Sequence, residues 1–277
     1  MTSAPLVGFV PSPDLHVMTY NIRRRMPGLD YDDPDLWSRR KPLLQRFLAG
    51  ERPAVLGVQE ALSHQRAAVS NGLGAAYRAI GRGRNRDGAG EGCPIFVDRA
   101  RVRIDGWTQL ALSSTPDVPG SVSWGNEIPR LAVVAEVVDL ETGGELLVVN
   151  THFDHVSHHS RIRSAELIAD LVASAGTPAL VMGDFNCRVD SEPYLILAGR
   201  GGLSDAWQVA DSRLTRQWGT FPNYQEPLEG ARRIDWVLVA GAARVASAAI
   251  NPARFEGVWA SDHCPVQAVV TFPGVPA

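Results

Sequence analysis

The stretch Leu180-Val181-Met182-Gly183-Asp184-Phe185-Asn186 decides how this chain is read. The apolar run that begins at Ala179 reads as a buried strand, and it stops abruptly at Gly-Asp-Phe-Asn. Side chains alternate along a strand. Extended geometry carried to the end would therefore set Asp184 and Asn186 on one side, a carboxylate beside an amide. The competing reading is a strand followed by an Asx turn, which Asp and Asn favour. The stretch alone supports both; its companions elsewhere in the chain shift the balance.

Polar groups recur where other apolar runs end. Asn21 closes a strand predicted over Leu15–Ile22, with Arg23 just beyond it. Glu60 follows Val55-Leu56-Gly57-Val58-Gln59. Asn150 and His152 follow Leu146-Leu147-Val148-Val149. Asp235 opens the run Ile234–Val239, and Asp262-His263 stands just before a last strand, Pro265–Thr271. Taken alone, Asn21 or Asn150 is a turn residue, His152 a hydrogen-bonded core histidine and Asp235 an ordinary strand-start carboxylate. Together they gather carboxylates, which raise one another's pKa and do nothing for folding. A bound cation relieves that repulsion, and hard divalent ions take one or two carboxylates, waters and phosphate oxygens.

Between these strands the pattern predicts helices over Leu36–Leu48, from about Ser63, over Ser160–Ser174 and over Glu192–Ala198. Pro42 inside the first implies a kink or a later start. Pro94–Val97 and Val102–Leu110 read as two strands joined by a tight turn, and Leu131–Val138 with Leu146–Val149 as a hairpin. Gly81–Gly92 is a Gly- and Arg-rich loop, expected to be mobile. With no repeat and no dividing linker, we expect a loose tail over 1–13 and one mixed α/β catalytic domain over 14–277.

Composition narrows the function. The formal net charge is −3 and Lys41 is the one lysine, so no global positive field recruits nucleic acid. Three cysteines, Cys93, Cys187 and Cys264, form no disulfide framework and suit a reducing compartment. Met1–Pro13 lacks the charged and apolar regions of a signal peptide, and no apolar run is long enough to cross a bilayer. The expected location is therefore the cytoplasm.

The motifs Thr19-Tyr20-Asn21-Ile22-Arg23, Gln59-Glu60, Asn150-Thr151-His152, Gly183-Asp184-Phe185-Asn186, Arg233-Ile234-Asp235 and Ser261-Asp262-His263 occur in this order. Each is weak alone, but the ordered set resembles the endonuclease/exonuclease/phosphatase superfamily over Leu15–Thr271. The resemblance implies a four-layer α/β/β/α sandwich of the deoxyribonuclease-like type, with two mostly antiparallel mixed sheets. It further implies Glu60, Asp262 and Asn21 at a Mg²⁺ or Mn²⁺ site of one or two ions. Asp184 would activate water, and Asn186 would position water or phosphate. His263, oriented by Asp235, would stabilise the transition state, and Asn150 and His152 would bind phosphoryl oxygens.

The His-rich segment Thr151–Arg161 resembles a bacterial branch of the superfamily and puts Asp154 and His155 among candidate substrate contacts. A zinc site is the weaker reading of its histidines. Arg23, Glu91, Trp124 and Arg130 are further candidates. Glu91 would meet substrate or a second cation; Trp124 and Arg130 would supply a stacking face and a phosphate clamp. Aromatic residues at Trp207, Trp218, Phe221 and Tyr224 would wall a compact pocket. The implied function is metal-dependent hydrolysis of a phosphate ester, a diester or monoester on a small or lipid-like substrate. The alternatives are a nuclease, for which Arg82, Arg84 and Arg86 offer a local patch, and an inactive binding module.

Overall fold

The computed structural model describes residues 4–272. Strands β1 (Leu15–Asn21), β2 (Val55–Gln59), β3 (Tyr77–Ile80) and β4 (Ile95–Asp98) belong to the first sheet. The second holds β5 (Val102–Ala111), β6 (Leu131–Asp139), β7 (Glu145–His152), β8 (Ala179–Asp184), β9 (Ser204–Asp205) and β11 (Asp235–Ala240). The first sheet is completed by β10 (Ser212–Arg213), β12 (Arg244–Ile250) and β13 (Val266–Thr271), in the order β10-β12-β13-β1-β2-β4-β3. The second runs β5-β6-β7-β8-β11-β9. Only β1–β2, β10–β12 and β7–β8 pair in parallel among the described residues; the other pairs are antiparallel.

Strand alternation makes the layers. Val17, Val55, Val148, Leu180, Met182, Val237 and Val266 meet between the sheets. Their neighbours Met18, Tyr20, Leu56 and Val58 face outward onto helices α1 (Trp37–Glu51) and α2 (Ser63–Leu73). Val149, Val181 and Trp236 face outward from the second sheet, onto α3 (His158–Ala175) and α4 (Glu192–Gly199). This is the expected α/β/β/α sandwich. Among the described residues, no helix is long and apolar enough to cross a membrane.

Several local expectations change. Helix α1 starts at Trp37 and runs through Pro42 instead of beginning beyond it. Strands β4 and β5 are joined by the expected tight turn, Arg101 N–H to the Asp98 carbonyl at 3.0 Å, and that turn carries the chain from one sheet to the other. The Gly81–Gly92 segment is internally bonded, Gly83 N–H to Gly88 carbonyl at 2.8 Å and Arg84 N–H to Glu91 carbonyl at 2.8 Å. Its ends are pinned to Ala61 and Gln109.

Residues 1–3 of the expected tail lie outside the described residues. The amides of Leu6, Val7 and Gly8 donate in succession to the buried carboxylate of Glu51, at 2.8, 3.1 and 3.1 Å. That carboxylate also accepts from Asn251 and Gln267, tying residues 6–8 to β13 and to the end of β12. His16 closes the network. Its Nδ1–H donates to the Gly8 carbonyl at 2.8 Å, and Nε2 accepts from Gln267 at 3.0 Å, so the ring is neutral.

Burial drops the His16 pKa from its usual 6.5 to about 4, against a smaller upward pull from Glu51. Between those values the unfolded chain binds a proton that the folded chain refuses. The network's full contribution is therefore present above pH 6.5 and is lost as pH falls toward 4, an effect on the order of 3 kcal/mol. Denaturant melts across that range should show the loss in the parent protein and a smaller one in His16→Gln.

Candidate active site

The rule that builds the core also delivers the site. On the inter-sheet face, Val17 is followed at alternate positions by Asn21, Leu180 and Met182 by Asp184, and Val148 by Asn150 and His152. Parallel register sets His152 opposite Asp184, and antiparallel register sets Asp235 opposite Asp184. Three functional side chains thus stand in one row across β7, β8 and β11, at one end of the interlayer space.

Residues just past the strands need a bend to reach this row. Glu60 follows Gln59, whose side chain points inward, and alternation would send it toward the helices. It instead has φ 62°, a left-handed backbone that non-glycine residues seldom adopt. Arg24 N–H and Asn21 Nδ2 hold its carboxylate at 2.9 and 3.1 Å. Asn186 has φ 50°, so extended geometry does not persist past Asp184. Its amide N–H donates to Asp184 Oδ1 at 3.0 Å, an Asx turn, and its side chain still swings back to the site. The turn of this stretch is therefore an Asx turn that leaves the Asn186 side chain beside Asp184 and His152.

The side chain of Asn21 spans two acids, donating to Asp184 Oδ2 at 2.9 Å as well as to Glu60. Asn186 Nδ2 donates to the Phe153 carbonyl and to His152 Nε2, both at 3.0 Å, which puts the His152 proton on Nδ1. His263 donates from Nδ1 to Asp235 Oδ2 at 2.9 Å, while its Nε2 faces Asp184 Oδ2 at 3.8 Å. Phe221 leans on the His263 ring at 4.7 Å between centroids.

The electrostatics follow from burial and neighbours. Burial first, then the charge of Asp235, lifts Asp184 from 3.8 to about 7. Burial opposes a proton on His263, but Asp235, by charge and hydrogen bond, raises it to about 10. Burial and the charge of Arg130 hold His152 well below 6.5, so it is neutral. Asp262 is raised by burial and, against the pull of His263, by the charge of Glu60. Burial also pushes Glu60 up, but the Arg24 amide and Asn21 outweigh it and keep it ionised.

Glu60 and Asp262 lie near enough for the charge of Glu60 to raise the Asp262 pKa, and Asn21 Nδ2 is bonded to Glu60. That chemistry fits a hard divalent cation. Asp184, Asp235 and His263 are also close enough together to hold an ion. The Nδ1 of His263 is already committed to Asp235, however, so we read this trio as a proton-handling line. His155, His158 and His159 join no such group among the described residues.

Other candidates sit elsewhere. Asn150 is fully buried below the site, with Nδ2 on the carbonyls of Val58, Cys93 and Pro94 and Oδ1 on Gln59 Nε2 at 2.6 Å. Its hydrogen bonds brace one sheet against the other and leave none for a phosphoryl group. Gly57 makes room for this brace: a Cβ there would lie 2.6 Å from Asn150 Oδ1. Trp124 packs against the core beneath α3, with Arg163 5.7 Å over its ring. Glu91 accepts a bidentate pair from Arg84 at 2.8 Å and a third bond from Arg24 at 3.1 Å. Arg130 is buried and bound to Asp154 at 3.2 Å and to His155 Nδ1 at 2.8 Å. Arg23 pairs with Asp35 at 2.9 Å and lies 3.6 Å from Asp262. Of the aromatic residues, Phe221 reaches the site; Trp207 and Trp218 pack in the inter-sheet core, and Tyr224 bonds Asp35.

The chain matches the model of the Endonuclease/Exonuclease/phosphatase family over residues 18–263. It belongs to that family. A search of curated proteins found no match. Among solved family structures, an endonuclease/exonuclease/phosphatase from Bacteroides vulgatus is 31% identical, with TM-score 0.86 over 94% of this chain and all of that one. A mannosyl-6-phosphatase from Bacteroides thetaiotaomicron is 29% identical, with TM-score 0.87 over 93% of this chain and all of that one. D. rerio TDP2 complexed with single-strand DNA product, at 17% identity and TM-score 0.69, shares the fold.

Sequence reading missed the residue that holds this family site in shape. Arg40 is fully buried and donates to the carbonyls of Ile22, Arg23, Arg24, Asp35 and Ala260. It also pairs with Asp35 at 3.1 Å. It clamps the loop after Asn21 to the loop before Ser261, whose hydroxyl returns to the Asn21 carbonyl at 2.7 Å. On a helix between Arg39 and Lys41 it reads as one more surface base. Arg40→Met takes the buried donor away from five carbonyls and one of three partners away from Asp35, and should cost about 3–5 kcal/mol in chemical denaturation. A loss within experimental error would contradict the clamp.

Proposed function

We propose that this chain is a Mg²⁺- or Mn²⁺-dependent hydrolase of phosphate esters, acting on a small molecule by attack of water activated at Asp184. The observation that carries the reading is the row His152–Asp184–Asp235, with His263 beside it and Glu60 tethered to it through Asn21. The mannosyl-6-phosphatase name of one 29% identical family structure supports a phosphomonoester on a sugar-like substrate.

Glu60 and Asp262, with Asn21, would hold the cation. The chemistry such an ion supplies when bound is Lewis-acid polarisation of the phosphoryl group. The rest falls to the chain. Asp184, poised near neutrality, accepts a proton from a water that the Asn186 side chain helps to orient. His263, kept protonated by Asp235, places positive charge where negative charge develops on the phosphoryl oxygens. Neutral His152 stands beside Asn186 as a polar wall. Asn150 acts as a positioning residue beneath them.

Two outcomes test these roles. Asp184→Asn and His263→Ala should each lower kcat about 10²-fold or more while the folded signal stays intact. Near-parental turnover by either variant, on any ester the parent hydrolyses, removes that residue from the reaction. The pH profile is the second test. Asp184 must be ionised to take a proton, so kcat/KM falls as pH drops below about 7. His263 must keep its proton, so kcat/KM falls as pH rises past about 10. A cation beside Glu60 moves the lower limb to more acidic pH. A panel of sugar phosphates, phosphodiesters and oligonucleotides with Mg²⁺, Mn²⁺ or EDTA identifies the substrate class; cleavage of oligonucleotides alone would favour a nuclease.

A further inference from the structure

A cavity of about 330 Å³ opens beside the reaction centre and is lined by Arg82, Arg84, Arg86, Arg130, Trp107 and Asp87, among others. Arg84, Arg130 and Leu131 also line a small void of about 10 Å³ beside Glu60 and His152, so the cavity adjoins the site across these three side chains. The guanidinium groups here outnumber their partners. Counting Arg24, which reaches in to Glu91, five arginines face three carboxylates, Asp87, Glu91 and Asp154.

The crowding is physical as well as numerical. After burial, the charges of Arg130 and Arg24 are among the influences that disfavour a proton on Arg84. Folding alone has no use for like charges packed this way; an anion relieves them. The guanidinium groups of Arg82 and Arg86 pair with no carboxylate among the described residues. Arg82 lies 6.0 Å over the ring of Trp107, a side chain 38% exposed. A rigid aromatic face next to free guanidinium groups suits a sugar ring carrying an anionic substituent.

We propose that this cavity is a second anion subsite, which holds a phosphate or carboxylate of the substrate other than the phosphate that is cleaved. The proposal rests on the reading of the site as a phosphoester hydrolase and narrows its substrates to compact, doubly anionic sugar or polyol phosphates. The volume is at the low end for small-ligand pockets and suits one sugar-sized unit. Arg84 and Arg130 are fixed by Glu91 and Asp154, and Arg82 and Arg86 supply the unneutralised charge.

The test is calorimetric binding to the Asp184→Asn protein in Mg²⁺, using a hexose 6-phosphate, a hexose 1,6-bisphosphate and a phosphorylated hexuronic acid. The bisphosphate or the uronic acid phosphate should bind at least tenfold more tightly than the monophosphate, and which of the two does so identifies the second anion. Adding Arg82→Ala and Arg86→Ala should abolish that preference and leave monophosphate binding unchanged. In the otherwise parental enzyme the same pair should raise KM for the doubly anionic ester about tenfold, with kcat retained. Equal binding of mono- and dianionic esters, a preference that survives the double substitution, or no binding of any of the three overturns the subsite. A binding preference that depends on the arginines in a parental enzyme unable to hydrolyse any of these esters upholds the subsite and overturns the hydrolase reading.

Discussion

The amide of Asn21 is the point at which the two sheets become one site. It stands on the first sheet and donates to Glu60 from its own sheet and to Asp184 from the other. One nitrogen with two protons thereby fixes the separation of two buried acids. Everything nearby serves that geometry. Ser261 and Arg40 hold the backbone around Asn21, and Gln59 with Asn150 locks the sheets just beneath it. A sandwich packed only by apolar side chains would slide more easily than one cross-braced by directional bonds at its functional end.

This arrangement spends stability on function. Asp184 and Asp235 are buried opposite each other, and one oxygen of Asp235 has no partner among the described residues. The left-handed backbones at Arg23, Glu60 and Asn186 add local strain around the same spot. The Glu51 network at the opposite end of β1 does the reverse. There a buried carboxylate is fully answered by backbone and side-chain donors. The two ends of one strand thus carry contrasting polar clusters, one satisfied and structural, the other strained and chemical.

How much of this was legible in the sequence follows from the range of the forces involved. Alternation along strands is local, so the strand-end positions of Asn21, Asp184 and Asp235 could be read from spacing, whereas the four layers came with the family resemblance. Asn150 shows the limit, because alternation gave its direction correctly but not its depth, and three carbonyls wait where a substrate oxygen was expected. Arg40 was invisible because its partners are backbone carbonyls up to 220 residues away. The destination of the turn between β4 and β5 was hidden for a related reason. A short turn reads the same whether it returns the chain to its neighbour or passes it to the other sheet. Strand β12, Arg-Val-Ala-Ser-Ala-Ala-Ile, carries bulky β-formers only near its ends, Val245 and Ile250, and is held by pairing with β13.

The central claim is that Glu60, Asp262 and Asn21 are gathered for a cation that relieves their repulsion. The most direct measurement is the unfolding free energy of the protein in EDTA and at Mg²⁺ or Mn²⁺ about a hundredfold above its dissociation constant. The account predicts stabilisation of about 3 kcal/mol by the metal, and its disappearance in Glu60→Gln at the same metal concentration. Identical melts with and without metal, or an equal metal effect in the Glu60 variant, would contradict it.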